Sequence, residues 1–167
     1  MKNIISPFIT RTRLIAVLTV TCFSLALSGA QAGDGARAEN VTPDRGKFLL
    51  ISFDENFTGD TTIDGTSTIS GAFSDLGSRH EDFTTAQQGD EVIVTGTVTI
   101  TGGQGTLITQ FVGAIPANGD SPNYISGVES VVSGTGIYAG LHGKGTFEAT
   151  LDFDTGNIVG VVELKVH

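Results

Sequence analysis

The chain has one cysteine, one methionine, two tyrosines and no tryptophan in 167 residues. The lone cysteine, Cys22, cannot form an internal disulfide. It also lies in an N-terminal segment predicted below to be removed. Without it no cysteine nucleophile or thiolate metal site is available, and stability must come from a packed core and a closed hydrogen-bond ladder. The absence of tryptophan and the scarcity of tyrosine remove the aromatic platforms common in sugar-binding proteins, which leaves carbohydrate binding a weak option. Cations are few: nine Lys+Arg stand against 18 Asp+Glu. Three of the nine (Lys2, Arg11 and Arg13) fall in the first 32 residues, which hold no acid, so the remainder carries a net −12. Such a surface repels phosphate backbones and anionic lipid, so nucleic acid is not expected as a partner.

Long hydrophobic runs are missing as well. The longest mostly apolar stretch, Leu14 to Leu27, has 14 residues, short for a transmembrane helix. Basic residues precede it and Ala30-Gln31-Ala32 follows as a small-x-small site. Residues 1–32 therefore read as a secretory signal peptide cleaved after Ala32, with no membrane span after processing and a secreted or periplasmic product. Lipidation at Cys22 is not expected, because Thr19 and Thr21 occupy the positions where a lipoprotein signal wants Leu and a small residue. Residues 33–46 read as a flexible leader, and residues 47–167 as a single β-barrel domain.

What is abundant is the β pattern. Thr, Val, Ile, Phe and 20 of the chain's 23 glycines dominate after Asp44, and no segment repeats its apolar residues at helical spacing. Eight strands are predicted: Lys47 to Asp54; Thr66 to Phe73, open to continuation after a bulge from Gly77 to Phe83; Glu91 to Thr101; Thr106 to Ala117; Tyr124 to Ser133; Ile137 to Leu141; Lys144 to Asp154; and Asn157 to Val166. Short Gly- and Asn-bearing connections such as Asp154-Thr155-Gly156-Asn157 suit hairpins. Consecutive hairpins make a meander, and closing it removes the exposed edges. The expected fold class is all-β: an eight-stranded antiparallel up-and-down barrel with room for one small ligand. A two-sheet sandwich is the alternative.

Other chemistries find little support. Asp152-Phe153-Asp154-Thr155-Gly156-Asn157 looks like half a calcium loop, but the remaining oxygen ligands are missing and the residues suit a turn. His80, His142 and His167 do not pair at metal-ligand spacing, so no metal is expected. The Gly-x-Ser-x-Gly elbow of serine hydrolases is absent. Gly134-x-Gly136 precedes an alternating strand rather than a helix, against a dinucleotide fingerprint. Arg79-His80-Glu81-Asp82 reads as a solvated charge cluster near a strand end, one that could gate a barrel mouth.

The segment Ser133-Gly134-Thr135-Gly136-Ile137-Tyr138-Ala139-Gly140, with Gly143-x-Gly145-Thr146-Phe147 and Asp154-x-x-Gly156-x-Ile158-x-Gly160 after it, resembles bacterial proteins with the allene oxide cyclase/dirigent-like β-barrel. The resemblance implies a calycin-like eight-stranded barrel around a hydrophobic cavity that folds its substrate and needs no cofactor, with catalysis by confinement and orientation. It implies a cyclase or isomerase, and trimers are frequent in the plant members. No catalytic set transfers by position.

From the residues themselves, Glu129 and Tyr138 are the candidate catalytic groups, and Gln110, Phe111, Phe147 and Phe53 the candidate ligand-binding ones. A carboxylate inside a barrel would have its pKa raised by desolvation and could move protons, but both faces of the Glu129 strand carry aliphatics and either could be the inner one. The expected partner is a small apolar molecule, with homo-oligomerisation, as dimer or trimer, left open. The competing expectation is a non-catalytic envelope or interaction protein whose phenylalanines plug the lumen.

Overall fold

Alternating apolar and polar residues, set in long β-branched stretches, form eight strands. These are β1 (Lys47–Phe57), β2 (Thr62–Gly71), β3 (Asp75–Gln88), β4 (Glu91–Gly102), β5 (Gly105–Pro116), β6 (Asn123–Gly134), β7 (Gly143–Asp152) and β8 (Asn157–Val166). The computed structural model describes residues 46–167; the predicted signal peptide and all but the last residue of the predicted leader lie outside them. Each strand pairs antiparallel with the next, and β1 pairs with β8 from Lys47↔Val166 to Asn56↔Asn157. The sheet is thus a closed up-and-down barrel, and no strand in it is left with an unpaired edge. Among the described residues no helix is long and apolar enough to cross a membrane.

Strand period two decides the two faces. Leu49, Ile51 and Phe53 of β1, Val94, Val98 and Ile100 of β4, and Ile158, Val162, Leu164 and Val166 of β8 point inward and are buried. Each such aliphatic side chain, fully removed from water, contributes roughly 1.5–3 kcal/mol.

The predicted strand count is right, but two of the eight differ in identity. Thr66–Phe73 and Gly77–Phe83 belong to two separate strands, β2 and β3, turned at Ala72–Ser74 rather than bulged. Ile137–Leu141, in contrast, is not a strand. It contains most of a single 3₁₀ turn, Gly136–Tyr138, within the β6–β7 connection. Gly136 (φ +59°), just before the segment, and Gly140 (φ +74°), within it, put the backbone where only glycine sits comfortably. The segment folds across the end of the barrel instead.

The connections separate the barrel into two unlike ends. At one end lie the β2–β3, β4–β5 and β6–β7 connections, with the start of β1 and the end of β8. Here Tyr138 and Leu141 of the β6–β7 crossing fold in under the strands and are buried. The Tyr138 hydroxyl donates to Asp75 Oδ2 at 3.1 Å, and its ring meets Phe73 edge-on at 5.9 Å. The backbone of the crossing is tied to its neighbours as well: Thr135 N donates to Thr106 O at 2.8 Å and Ile137 N to Gln104 O at 3.1 Å. This end is shut. The opposite end, formed by the β1–β2, β3–β4, β5–β6 and β7–β8 connections, carries no such plug among the described residues and is the mouth.

Candidate ligand cavity

A cavity of about 530 Å³ opens at the mouth and runs to mid-barrel, within the range of small-molecule sites. Its walls are largely apolar: Phe53, Phe57, Phe83, Phe111 and Phe147 with Ile63, Val94, Ile125 and Leu151. Two edge-to-face pairs brace the rings, Phe111–Phe147 at 5.6 Å and Phe57–Phe83 at 6.1 Å between centroids.

Phenylalanine rings can fill a barrel as easily as line one. Here the cross-strand partners decide. Phe53 pairs with Gly160, Phe111 with Gly96 and Phe147 with Gly127. Each ring lies against the space its glycine leaves: a Cβ on Gly160 would stand 2.4 Å from Phe53, one on Gly96 2.6 Å from Phe111, and one on Gly127 2.6 Å from Phe147. The rings therefore lie on the wall and leave the centre open.

The floor is polar. Glu55 (β1), Arg79 and Glu81 (β3) and Glu129 (β6) point inward and are at most 5% exposed. The same device positions them. Gly65 of β2 lies between Glu55 and Arg79 in register, and its missing side chain leaves a lane in which Arg79 Nε reaches Glu55 Oε2 at 3.1 Å. Arg79 also pairs with Glu81 through Nε, at 3.0 Å, and through Nη2. Its guanidinium lies 4.2 Å from the centroid of the Phe53 ring, a cation–π contact worth about 2 kcal/mol when desolvated. Glu129 accepts a hydrogen bond from Thr109 Oγ1 at 2.5 Å.

One buried cation thus faces three buried carboxyl groups. Burial pushes the Glu55 carboxyl up to about 8; Arg79 opposes this and Glu81 reinforces it. Burial also raises Glu129, against the lowering pull of Arg79 and of the Thr109 hydrogen bond. Arg79 is driven the other way. Burial alone would lower it, but Glu81, Glu55 and Glu129 together raise it, so it stays charged. The floor can therefore hold the Glu55 carboxyl protonated near neutral pH, inside an apolar enclosure.

Of the residues singled out in the sequence, Glu129, Phe53, Phe111 and Phe147 meet in this cavity. Gln110 and Tyr138 do not. Gln110 neighbours the inward Phe111, so alternation turns it to the outer surface, where it lies in a shallow groove with Val112 and Val128. Tyr138 belongs to the plug, and its hydroxyl is occupied by Asp75. Burial and the adjacent Asp75 push the Tyr138 phenol up, a poor state for proton transfer. Asp75 itself is lowered: burial acts upward, and the amides of Leu76 and Gln104 with the Tyr138 hydroxyl outweigh it.

Arg79-His80-Glu81-Asp82 is not a solvated strand-end cluster. It sits mid-strand in β3, with Arg79 and Glu81 inside and His80 and Asp82 outside. Outside, His80 Nδ1 approaches Asp64 Oδ1 at 2.6 Å. The Asp152–Asn157 segment is a turn: Asp152 Oδ1 accepts from the amides of Asp154 at 2.9 Å and Thr155 at 3.2 Å. Glu55 escaped sequence reading because Asp54-Glu55-Asn56 looks like a strand end. The signal was present in the alternation Leu49, Ile51, Phe53, Glu55, Phe57.

Scanned against models of known protein families, the chain matches none, and a search of curated proteins likewise finds no match.

Proposed function

We propose that this protein binds a small hydrophobic molecule inside the barrel, with the polar end of the guest on the Glu55–Arg79–Glu81–Glu129 floor. The carrying observation is the open, apolar upper lumen that ends on buried carboxyl groups. A barrel that served only as an envelope gains nothing from leaving that volume vacant, nor from burying three acidic side chains around one arginine. Native mass spectrometry before and after organic extraction tests the reading. A co-purified apolar mass, or a thermal shift with members of an apolar-ligand panel, is expected. A clean protein mass with no shift across the panel overturns it. The same spectrum reads the oligomeric state, for which half-exposed Val112, Val128 and Val132 on the outer face of β5 and β6 favour self-association.

The raised carboxyls favour a second, narrower reading: a cofactor-free cyclase or isomerase of the kind the allene oxide cyclase-like resemblance implies. A protonated Glu129 would donate its proton to an oxygen of the confined guest and recover one as the product forms, with no net proton consumed. Glu129→Gln would then abolish turnover. Export to the periplasm or medium is part of the same proposal and rests on the signal-peptide pattern; the N-terminal sequence of the purified protein tests it.

A further inference from the structure

The floor of the cavity holds more acid than base, and its one base is already engaged. Arg79 gives Nε to Glu55 and Glu81 and Nη2 to Glu81, and stacks on Phe53. Its remaining Nη1 has no partner and is sealed from solvent, so it offers nothing to a guest. The carboxyl groups differ. Glu129 is 2% exposed and lines the cavity, yet among the described residues Thr109 is its one hydrogen-bond partner, and that contact uses Oε1. Oε2 is left without a protein donor. Phe53, Phe111 and Phe147 line the same cavity and supply apolar surface for the rest of a guest.

We propose that the guest carries a basic nitrogen: the cavity is a site for a hydrophobic amine, bound as its ammonium ion with the charge on Glu129 and Glu55 and the hydrocarbon against the phenylalanines. This deepens the ligand-binding reading above and rests on it. An anionic guest would bring a further negative charge to a floor where three carboxyls share one guanidinium. A metal ion fits less well, since among the described residues no three His, Cys, Asp or Glu side chains converge as a metal-holding group. The organic cation supplies both things the site has places for, one positive charge and a body of apolar surface.

The proton balance gives the proposal its signature. Facing the guest's nitrogen are Glu55 from β1, Arg79 and Glu81 from β3 and Glu129 from β6. Ser67 of β2 and Thr109 of β5 are the neutral polar neighbours, and Asp60 stands at the rim. An ammonium ion seated on a protonated carboxyl expels that proton to solvent. Binding of the amine therefore tightens as pH rises toward 8, while the amine itself stays protonated.

The test uses three molecules of one frame, 1-naphthylmethylamine, 1-naphthylmethanol and 1-naphthoate, titrated calorimetrically into the full chain at pH 6, 7 and 8. The amine is expected to bind at least about tenfold tighter than the alcohol at pH 8, a difference of roughly 1.4 kcal/mol. Naphthoate is expected to be weakest. The amine's heat should vary with the ionisation enthalpy of the buffer, which reports proton release. Glu129→Gln keeps the acceptor for Thr109 and is expected to remove most of the amine's advantage over the alcohol. Equal or tighter binding of alcohol or naphthoate overturns the amine assignment and leaves ligand binding standing. Failure of all three overturns both.

Discussion

The two halves of this barrel are cut from the same eight strands, yet one is solid and the other hollow. At the shut end the inward positions hold branched aliphatics, Ile51, Ile69, Val98, Ile100, Leu107, Val162 and Leu164, which interdigitate above Tyr138. Toward the mouth they hold phenylalanines, and Phe53, Phe111 and Phe147 each stand opposite a glycine. Branched side chains facing branched side chains fill a lumen. A ring facing a glycine lies back on the wall and empties it. Large residues thus make the cavity because of what stands across from them, and residue volume alone is a poor guide to whether a barrel is plugged.

The hardest blow to this contrast is at the plug. Tyr138→Ala removes a fully buried ring and the Asp75 contact, and is expected to cost about 3–5 kcal/mol, read as a urea-midpoint loss. The hollow half should keep its ligand preferences in whatever protein remains folded. A matched pair sharpens the comparison. Leu164→Ala in the solid half should cost about 2–5 kcal/mol. Ile158→Ala, on the cavity wall, should fall at or below the low end of that range because its ring of neighbours is already incomplete. Equal costs would mean that the upper half is as tightly packed as the lower.

The boundary between the halves should show itself in pH. Burial holds the Glu55 carboxyl at about 8 rather than its ordinary 4.5, so the folded state keeps a proton that the unfolded chain has shed. Its contribution is fully present below about pH 4.5 and is lost as pH rises to about 8. Urea midpoints should decline across that window in the wild type, and Glu55→Gln should flatten the decline. A midpoint rising from pH 5 to 8 would mean that Glu55 is ionised in the fold. The smallest effect on the fold is at Gly113. A Cβ there would meet only side-chain tips, Phe147 at 2.7 Å and Ile125 at 3.0 Å, which can move. Gly113→Ala should change stability by no more than about 1 kcal/mol, while tipping Phe147 into the lumen and weakening guest binding, as read in the same titrations.

The β pattern and the antiparallel order were legible because period-two alternation is written into Glu91–Thr101 and Lys144–Asp154. The β6–β7 crossing was misread as a short strand; Gly136 and Gly140 carried the signal that it turns. The site was half legible. Glu129 and three of the phenylalanines stood out as residues out of place, but Glu55, Arg79 and Glu81 passed as ordinary surface charge, since a sequence shows each charge without its partner. Gln110 was drawn in by polarity although its neighbour Phe111 already assigned it to the other face. The glycines opposite the rings could not be paired with them without the register, which links residues as distant as Phe53 and Gly160.

Because β1 opens and β8 finishes side by side at the shut end, anything fastened beyond His167 hangs from the base of the cup. A sensor surface, affinity handle or fluorescent reporter joined there would leave the rim facing outward and unobstructed, so the barrel can be immobilised without covering its own entrance.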